Sequence, residues 1–205
     1  MKSIFFITLI FVYALNGICQ DKIITLSVKE QLFSVNQLKV DTTPIKKKDS
    51  ITHEVFVDTS RVVPLGFRSN IFPMDTDEYG NKTMQLQKIE AYPIVICNSS
   101  NGAKSIQIQD SKLVMYQEAQ DSLGNWLPIE YFVHSDCGLS YSNIELPSQY
   151  CLESKIAKYK GAFKTKLRVK ILIDESIKYS NIYSGSVNYV QFTKPHEGFK
   201  DLRFK

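Results

Sequence analysis

The chain has 205 residues, of which 43% are hydrophobic, with 12 phenylalanines, 11 tyrosines and one tryptophan. This is enough to bury the core of one domain, and nine glycines and seven prolines exclude a linker or low-complexity protein. A formal net charge of +4 is too small to indicate a nucleic-acid partner, and none is expected.

Residues 1–19 read as a signal peptide. Lys2 precedes an apolar run over residues 4–15, and Gly17 and Cys19 stand at small-residue spacing before Gln20. The run is shorter than the roughly 20 residues a spanning helix needs, and no other stretch is apolar enough, so the mature chain is expected to lack a transmembrane segment. Export to the periplasm or the exterior follows. Cys19 offers a lipid-anchored alternative, although Ile18 stands where lipoproteins carry a small residue.

Residues 20–83 read as an N-terminal β extension and loop. Residues 22–28 (KIITLSV), 31–40 (QLFSVNQLKV) and 51–57 (ITHEVFV) show strand patterns, and residues 62–81, with Pro64, Gly66, Pro73 and Gly80, read as irregular. Residues 84–193 are predicted to form the main domain. The apolar run 92–97 (YPIVIC) suits a strand buried on both faces, and Asn101-Gly102 predicts a hairpin into residues 104–110. Further strands are expected at 112–118, 126–134 and 148–156. In the second of these, Pro128 implies an edge or a bulge. Residues 163–173 (FKTKLRVKILI) alternate most clearly. They set Leu167, Val169, Ile171 and Ile173 on one face and Lys164, Lys166, Arg168 and Lys170 on the other. Strands over 176–183 and 187–192 close the pattern, and residues 194–205 form a basic tail.

No stretch carries a capped helical stripe, whereas strands recur about every 10 residues with polar turns between them. The fold class expected is all-β, an antiparallel immunoglobulin-like or fibronectin-like sandwich with the N-terminal β extension added to it.

Three cysteines follow the signal peptide: Cys97, Cys137 and Cys151. An oxidising compartment permits a bridge, and the odd count leaves one free or intermolecularly paired. Cys137 and Cys151, which enclose 13 residues, are the disulfide candidates, and Cys97 inside an apolar strand reads as a small buried hydrophobe. Metal binding through His134, Asp136 and these thiols would lack the usual paired spacing, so neither a metal nor another cofactor is expected. His134, Ser135, Asp136, Ser140 and Ser142 crowd together without a nucleophile elbow, and no catalytic residue is assigned. Glu118, Glu130 and Asp136 could serve a hydrolase if two of them shared a cleft. The cationic row Lys164, Lys166, Arg168 and Lys170 is either a solvated outer face or a surface for an anionic partner. Trp126 and Tyr131, with Phe132, Tyr141 and Tyr150, are either core residues or a platform for sugar rings. A tryptophan on a central strand ordinarily belongs to the core. Asn81-Lys82-Thr83 and Asn98-Ser99-Ser100 match the glycosylation sequon.

The segments 126–130 (WLPIE), 135–141 (SDCGLSY), 159–161 (YKG) and 163–168 (FKTKLR) resemble a group of uncharacterised secreted β-sandwich proteins of Bacteroidetes-type bacteria. The resemblance covers the C-terminal half and implies an exported β-domain without implying an activity. The expected function is therefore an exported, non-enzymatic β-sandwich protein mediating envelope or extracellular interactions, its partner an unknown protein or glycan of the cell envelope. The alternatives are a carbohydrate-binding module and a secreted hydrolase.

Overall fold

A computed structural model describes residues 23–24, 45–46, 53–68, 75–76, 82–83, 86–130 and 135–193. The described strands are β1 (Ile23–Ile24), β2 (Ile45–Lys46), β3 (Val55–Val57), β4 (Val63–Arg68), β5 (Asp75–Thr76), β6 (Lys82–Thr83), β7 (Leu86–Cys97) and β8 (Lys104–Gln109). They continue as β9 (Lys112–Leu113), β10 (Met115–Gln120), β11 (Trp126–Pro128), β12 (Tyr141–Leu146), β13 (Tyr150–Ala157), β14 (Phe163–Ile173), β15 (Ser176–Tyr179) and β16 (Tyr183–Val187). Two short 3-10 turns cover Gly138–Ser140 and Tyr189–Phe192, and the described residues contain no α-helix.

The strands form an all-β sandwich of one six-stranded and one eight-stranded sheet, with β5 and β6 as a separate ribbon. In the first sheet β7 is central. It pairs with β13 and β1 along one edge and with β3 and β4 along the other. In the second sheet β14 has that role, with β10 and β8 on one edge and β15 and β16 on the other. Strands from before residue 84 thus belong to the sandwich itself. The expected strands at 22–28 and 31–40 lie mostly outside the described residues, as do the signal peptide, Cys19, Asn81, Tyr131, Phe132, His134 and the basic tail.

Strand β14 shows why the sequence forms this layer. Its alternation sends Leu167, Val169, Ile171 and Ile173 between the sheets, all nearly inaccessible. There they meet Ile94, Ile96 and Leu152 of the first sheet. Burying each such side chain contributes about 1.5–3 kcal/mol. At its end Asp174 and Glu175 take positive φ (48° and 57°), the backbone of a two-residue hairpin turn. The Asp174 carboxylate also accepts the Ser105 N–H at 2.7 Å, tying that turn to β8.

Several expectations are corrected. Asn101-Gly102 does not make a hairpin, because β7 and β8 lie in different sheets. The crossing loop is held by Asn98, which is fully buried. Its Nδ2 donates to the carbonyls of Gly102 (2.7 Å) and Leu146 (2.9 Å), and its Oδ1 accepts the Ser100 N–H (3.0 Å). With both amide N–H groups occupied, Asn98 offers no accessible nitrogen to a glycan. β4 runs through the span read as irregular. Pro64 is exposed opposite Glu90 on an edge strand, where its missing N–H costs no ladder bond. β11 stops at Pro128, so the strand expected over 126–134 ends early. Of the expected strand over 187–192 only Val187 is strand, as the end of β16; Tyr189–Phe192 form a 3-10 turn, because Asn188 and Gln191 bond reciprocally to each other's backbone and cap it.

The disulfide is Cys97–Cys151, not Cys137–Cys151, and Cys137 is an exposed free thiol. Cys97 and Cys151 sit directly opposite each other on β7 and β13, with their Cα atoms 4.1 Å apart. Closeness in sequence favoured the wrong pair, whereas strand register brings together two residues 54 apart. In the loop-closure picture a bridge of this span stabilises the fold by about 4 kcal/mol. A disulfide is compatible with an exported chain.

One side chain stitches the sheets at an edge. Asn181, between β15 and β16, accepts the Val57 N–H at 2.7 Å and donates to the Val57 carbonyl at 3.2 Å. It completes the edge strand β3 as a neighbouring strand would.

Peptide mapping without reduction is expected to link the Cys97 and Cys151 peptides and to leave Cys137 open to alkylation. A Cys137–Cys151 peptide would overturn the pairing. Asn181→Ala is expected to lower unfolding free energy in urea by about 1–3 kcal/mol, since it orphans both polar groups of Val57. An unchanged midpoint would show that water replaces the amide.

Candidate functional site

The site is built on a buried polar hub. The inward face of β10 carries Met115, Gln117 and Ala119, and Gln117 is the polar intruder among apolar neighbours. Beyond β11 the chain turns inward, burying Ile129 and Glu130. Both oxygens of Glu130 accept hydrogen bonds. Oε1 takes Gln117 Nε2 (2.6 Å) and Tyr159 Oη (2.7 Å), and Oε2 takes the Gln117 backbone N–H (2.9 Å). Gln117 Nε2 also donates to the Ala157 carbonyl (3.0 Å), and Gln117 Oε1 accepts Tyr183 Oη (2.6 Å). The hub therefore joins β10 and β16 of one sheet to the chain leaving β13 of the other.

Removal from water raises the Glu130 carboxyl above the ordinary carboxylate range, outweighing the hydrogen bonds from Tyr159 and Gln117, which lower it. Burial first, then the neighbouring Glu130 and Tyr92, push the Tyr183 hydroxyl well above its ordinary value.

Above the hub, where β14 begins, lies a broad shallow groove of about 910 Å³. Tyr92 and Tyr159 belong to its lining, with Lys158, Lys160, Lys164 and Lys166 around it and Ser184, Gly185 and Ser186 along β16. Tyr92 packs edge-on against Tyr183, with ring centroids 6.1 Å apart, so the hub supports a ring of the groove. Phe163 lines the groove and packs edge-on against Tyr189 and Phe192. Gly161 lets the crossing chain pass over β16, since a Cβ there would stand 2.0 Å from the Val187 carbonyl carbon.

The lysines differ in their partners. Lys158 and Lys160 share Glu90 Oε2 at 3.1 and 2.9 Å, and the hydrogen bonds from Lys160 and then Lys158 hold that carboxyl below its usual range. Lys164 and Lys166 are exposed and meet no carboxylate among the described residues.

The cationic row is thus divided. Arg168 and Lys170 are half-buried and reach Glu118 at 2.7 and 3.8 Å. The Arg168 guanidinium also lies 4.3 Å from the Trp126 ring centroid and 3.9 Å from that of Tyr179. Trp126 accordingly belongs to the outer face of the second sheet, not to the core between the sheets. The three acids considered for hydrolysis do not converge. Glu118 faces outward beneath Arg168, Glu130 is enclosed between the sheets, and Asp136 is exposed in a loop. Among the described residues no group of three or more histidines, cysteines or acids is placed to hold a metal. No helix among them is long and apolar enough to cross a membrane.

Sequence reasoning missed Tyr92, Lys158, Lys160 and Phe163 as groove residues. The repetition Lys158-Tyr159-Lys160, closely followed by Lys164 and Lys166, was the available signal. No family model, curated protein or solved structure matches the chain.

Glu130→Gln tests the hub. A carboxyl raised in the folded state binds its proton more tightly there than in the unfolded chain, where the value is about 4.3. Its stabilising contribution is full below that value and is lost as pH rises through the folded value. The variant is expected to be about 1–3 kcal/mol less stable in acid, because its amide turns a donor toward Gln117. The gap to the unaltered protein should narrow as pH rises. A gap independent of pH would show that Glu130 titrates normally.

Proposed function

We propose that this is an exported, non-enzymatic β-sandwich domain that binds an anionic component of the cell envelope or the extracellular surroundings through the basic groove. The observation that carries this reading is the pair Lys164 and Lys166. Both are exposed beside a concave surface of about 910 Å³, and neither meets a carboxylate among the described residues. Uncompensated cations at a concave site attract anions and raise their local concentration. The neighbouring cations Arg168 and Lys170 are drawn onto Glu118 and stack on aromatic rings, so the groove end of the row is the open one. The reading is non-enzymatic because Glu118, Glu130 and Asp136 face three different surroundings, and Glu130 already accepts three hydrogen bonds.

Co-sedimentation with isolated cell envelopes and with extracellular material tests it. The double variant Lys164→Glu/Lys166→Glu is expected to reduce the bound fraction several-fold. Lys155→Glu, on the other sheet, should leave it unchanged. Equal retention of the double variant would place binding elsewhere or remove it.

A further inference from the structure

We infer that the groove ligand is an acidic oligosaccharide, its carboxylate or sulfate groups meeting Lys164 and Lys166 and its sugar rings lying against Tyr92 and Phe163. This rests on the reading of the groove as the binding site and names the chemistry it takes. Three features select a glycan among anions.

The first is the composition of the surface. Aromatic rings, lysines and small hydroxyl residues line one groove, together with Gln120 and a single acid, Asp121. A sugar ring presents an apolar C–H face and a polar rim, so it can use a ring and hydroxyls together. A run of Asp and Glu side chains has no such rigid apolar face.

The second is the mounting of the rings. Tyr92 meets Tyr183 edge-on (centroids 6.1 Å apart) and carries the Lys158 ammonium over its ring, 5.6 Å from the centroid, while Phe163 is held edge-on by Tyr189 and Phe192 at 5.5 and 6.0 Å. Tyr183 in turn donates to Gln117 in the hub. Rings fixed in advance lose little freedom when a ligand stacks on them.

The third is the narrowness of side chains along β16. Ser184, Gly185 and Ser186 follow one another opposite Lys166, Thr165 and Lys164. A Cβ at Gly185 would come 2.7 Å from Leu167 Cδ1 in the layer beneath, so a larger residue there would displace that leucine. The result is a low polar wall that leaves the groove open along its length, as an oligomer needs.

Calorimetric titration of the full-length mature protein with trigalacturonate tests the inference, with neutral maltotriose as the control. Binding of the uronate is expected, weakening as salt is raised, with little or none of the neutral sugar. Lys164→Ala/Lys166→Ala should weaken it by roughly ten-fold or more. Ser184→Glu, an exposed change that sets a carboxylate opposite Lys166, should weaken it without lowering the melting temperature. Equal affinity for both sugars would overturn the anionic assignment. Binding of poly-glutamate or of phosphatidylglycerol vesicles, with none of trigalacturonate or a sulfated oligosaccharide, would assign the groove to a peptide or a lipid surface. If no acidic sugar binds while envelope retention still depends on Lys164 and Lys166, this inference fails and the groove reading stands. If retention is also indifferent to the lysines, both fail.

Discussion

A carboxylate without a cation holds the centre of this sandwich. Glu130 lies between the sheets, where an unpartnered charge would cost several kcal/mol. Gln117 and Tyr159 supply three donors to it, and Gln117 spends its remaining groups on Ala157 and Tyr183. Such a network is stabilising when complete and expensive when one member is missing. It fixes where the chain leaving β13 must run relative to β10 and β16. Apolar contacts alone would hold the sheets together with less directional preference.

The same constraint shapes the surface. Tyr159 and Tyr92 reach from the hub region into the groove lining, and the crossing chain that carries Lys158 and Lys160 passes tightly over β16 at Gly161. Along β14 the cations then diverge according to their cross-strand neighbours. Arg168 lies opposite Glu118, and its flat guanidinium also stacks on Trp126 and Tyr179. Lys164 and Lys166 lie opposite Ser186 and Ser184, which offer no charge. One alternating row therefore becomes a packed surface at one end and an open cationic rim at the other.

Much of the fold was legible because burial imposes a period of two. β8, β14 and the apolar half of β7 follow from Ile106 and Ile108, from the Leu167-to-Ile173 alternation and from the run 92–97. β12 was missed because Ser142, Asn143 and Glu145 face solvent on a strand paired along one side only. β4 was missed because Pro64 and Gly66 mark breaks in an isolated sequence, yet an edge strand tolerates both. The site was less legible than the fold. Lys164 and Lys166 stood out by spacing, but Tyr92 reads as one more apolar strand residue until Tyr183 is seen beneath it.

The sequence by itself determined an all-β chain, the inward and outward faces of its main strands, and the presence of a cationic row. These follow from local alternation, which each strand carries alone. Only the tertiary structure decided which strands share a sheet, that Cys97 and not Cys137 bridges to Cys151, that Glu130 is enclosed, and which lysines stay open. Those outcomes depend on residues brought together across 54 positions at the disulfide and 66 between Gln117 and Tyr183. No local pattern records the register that joins them.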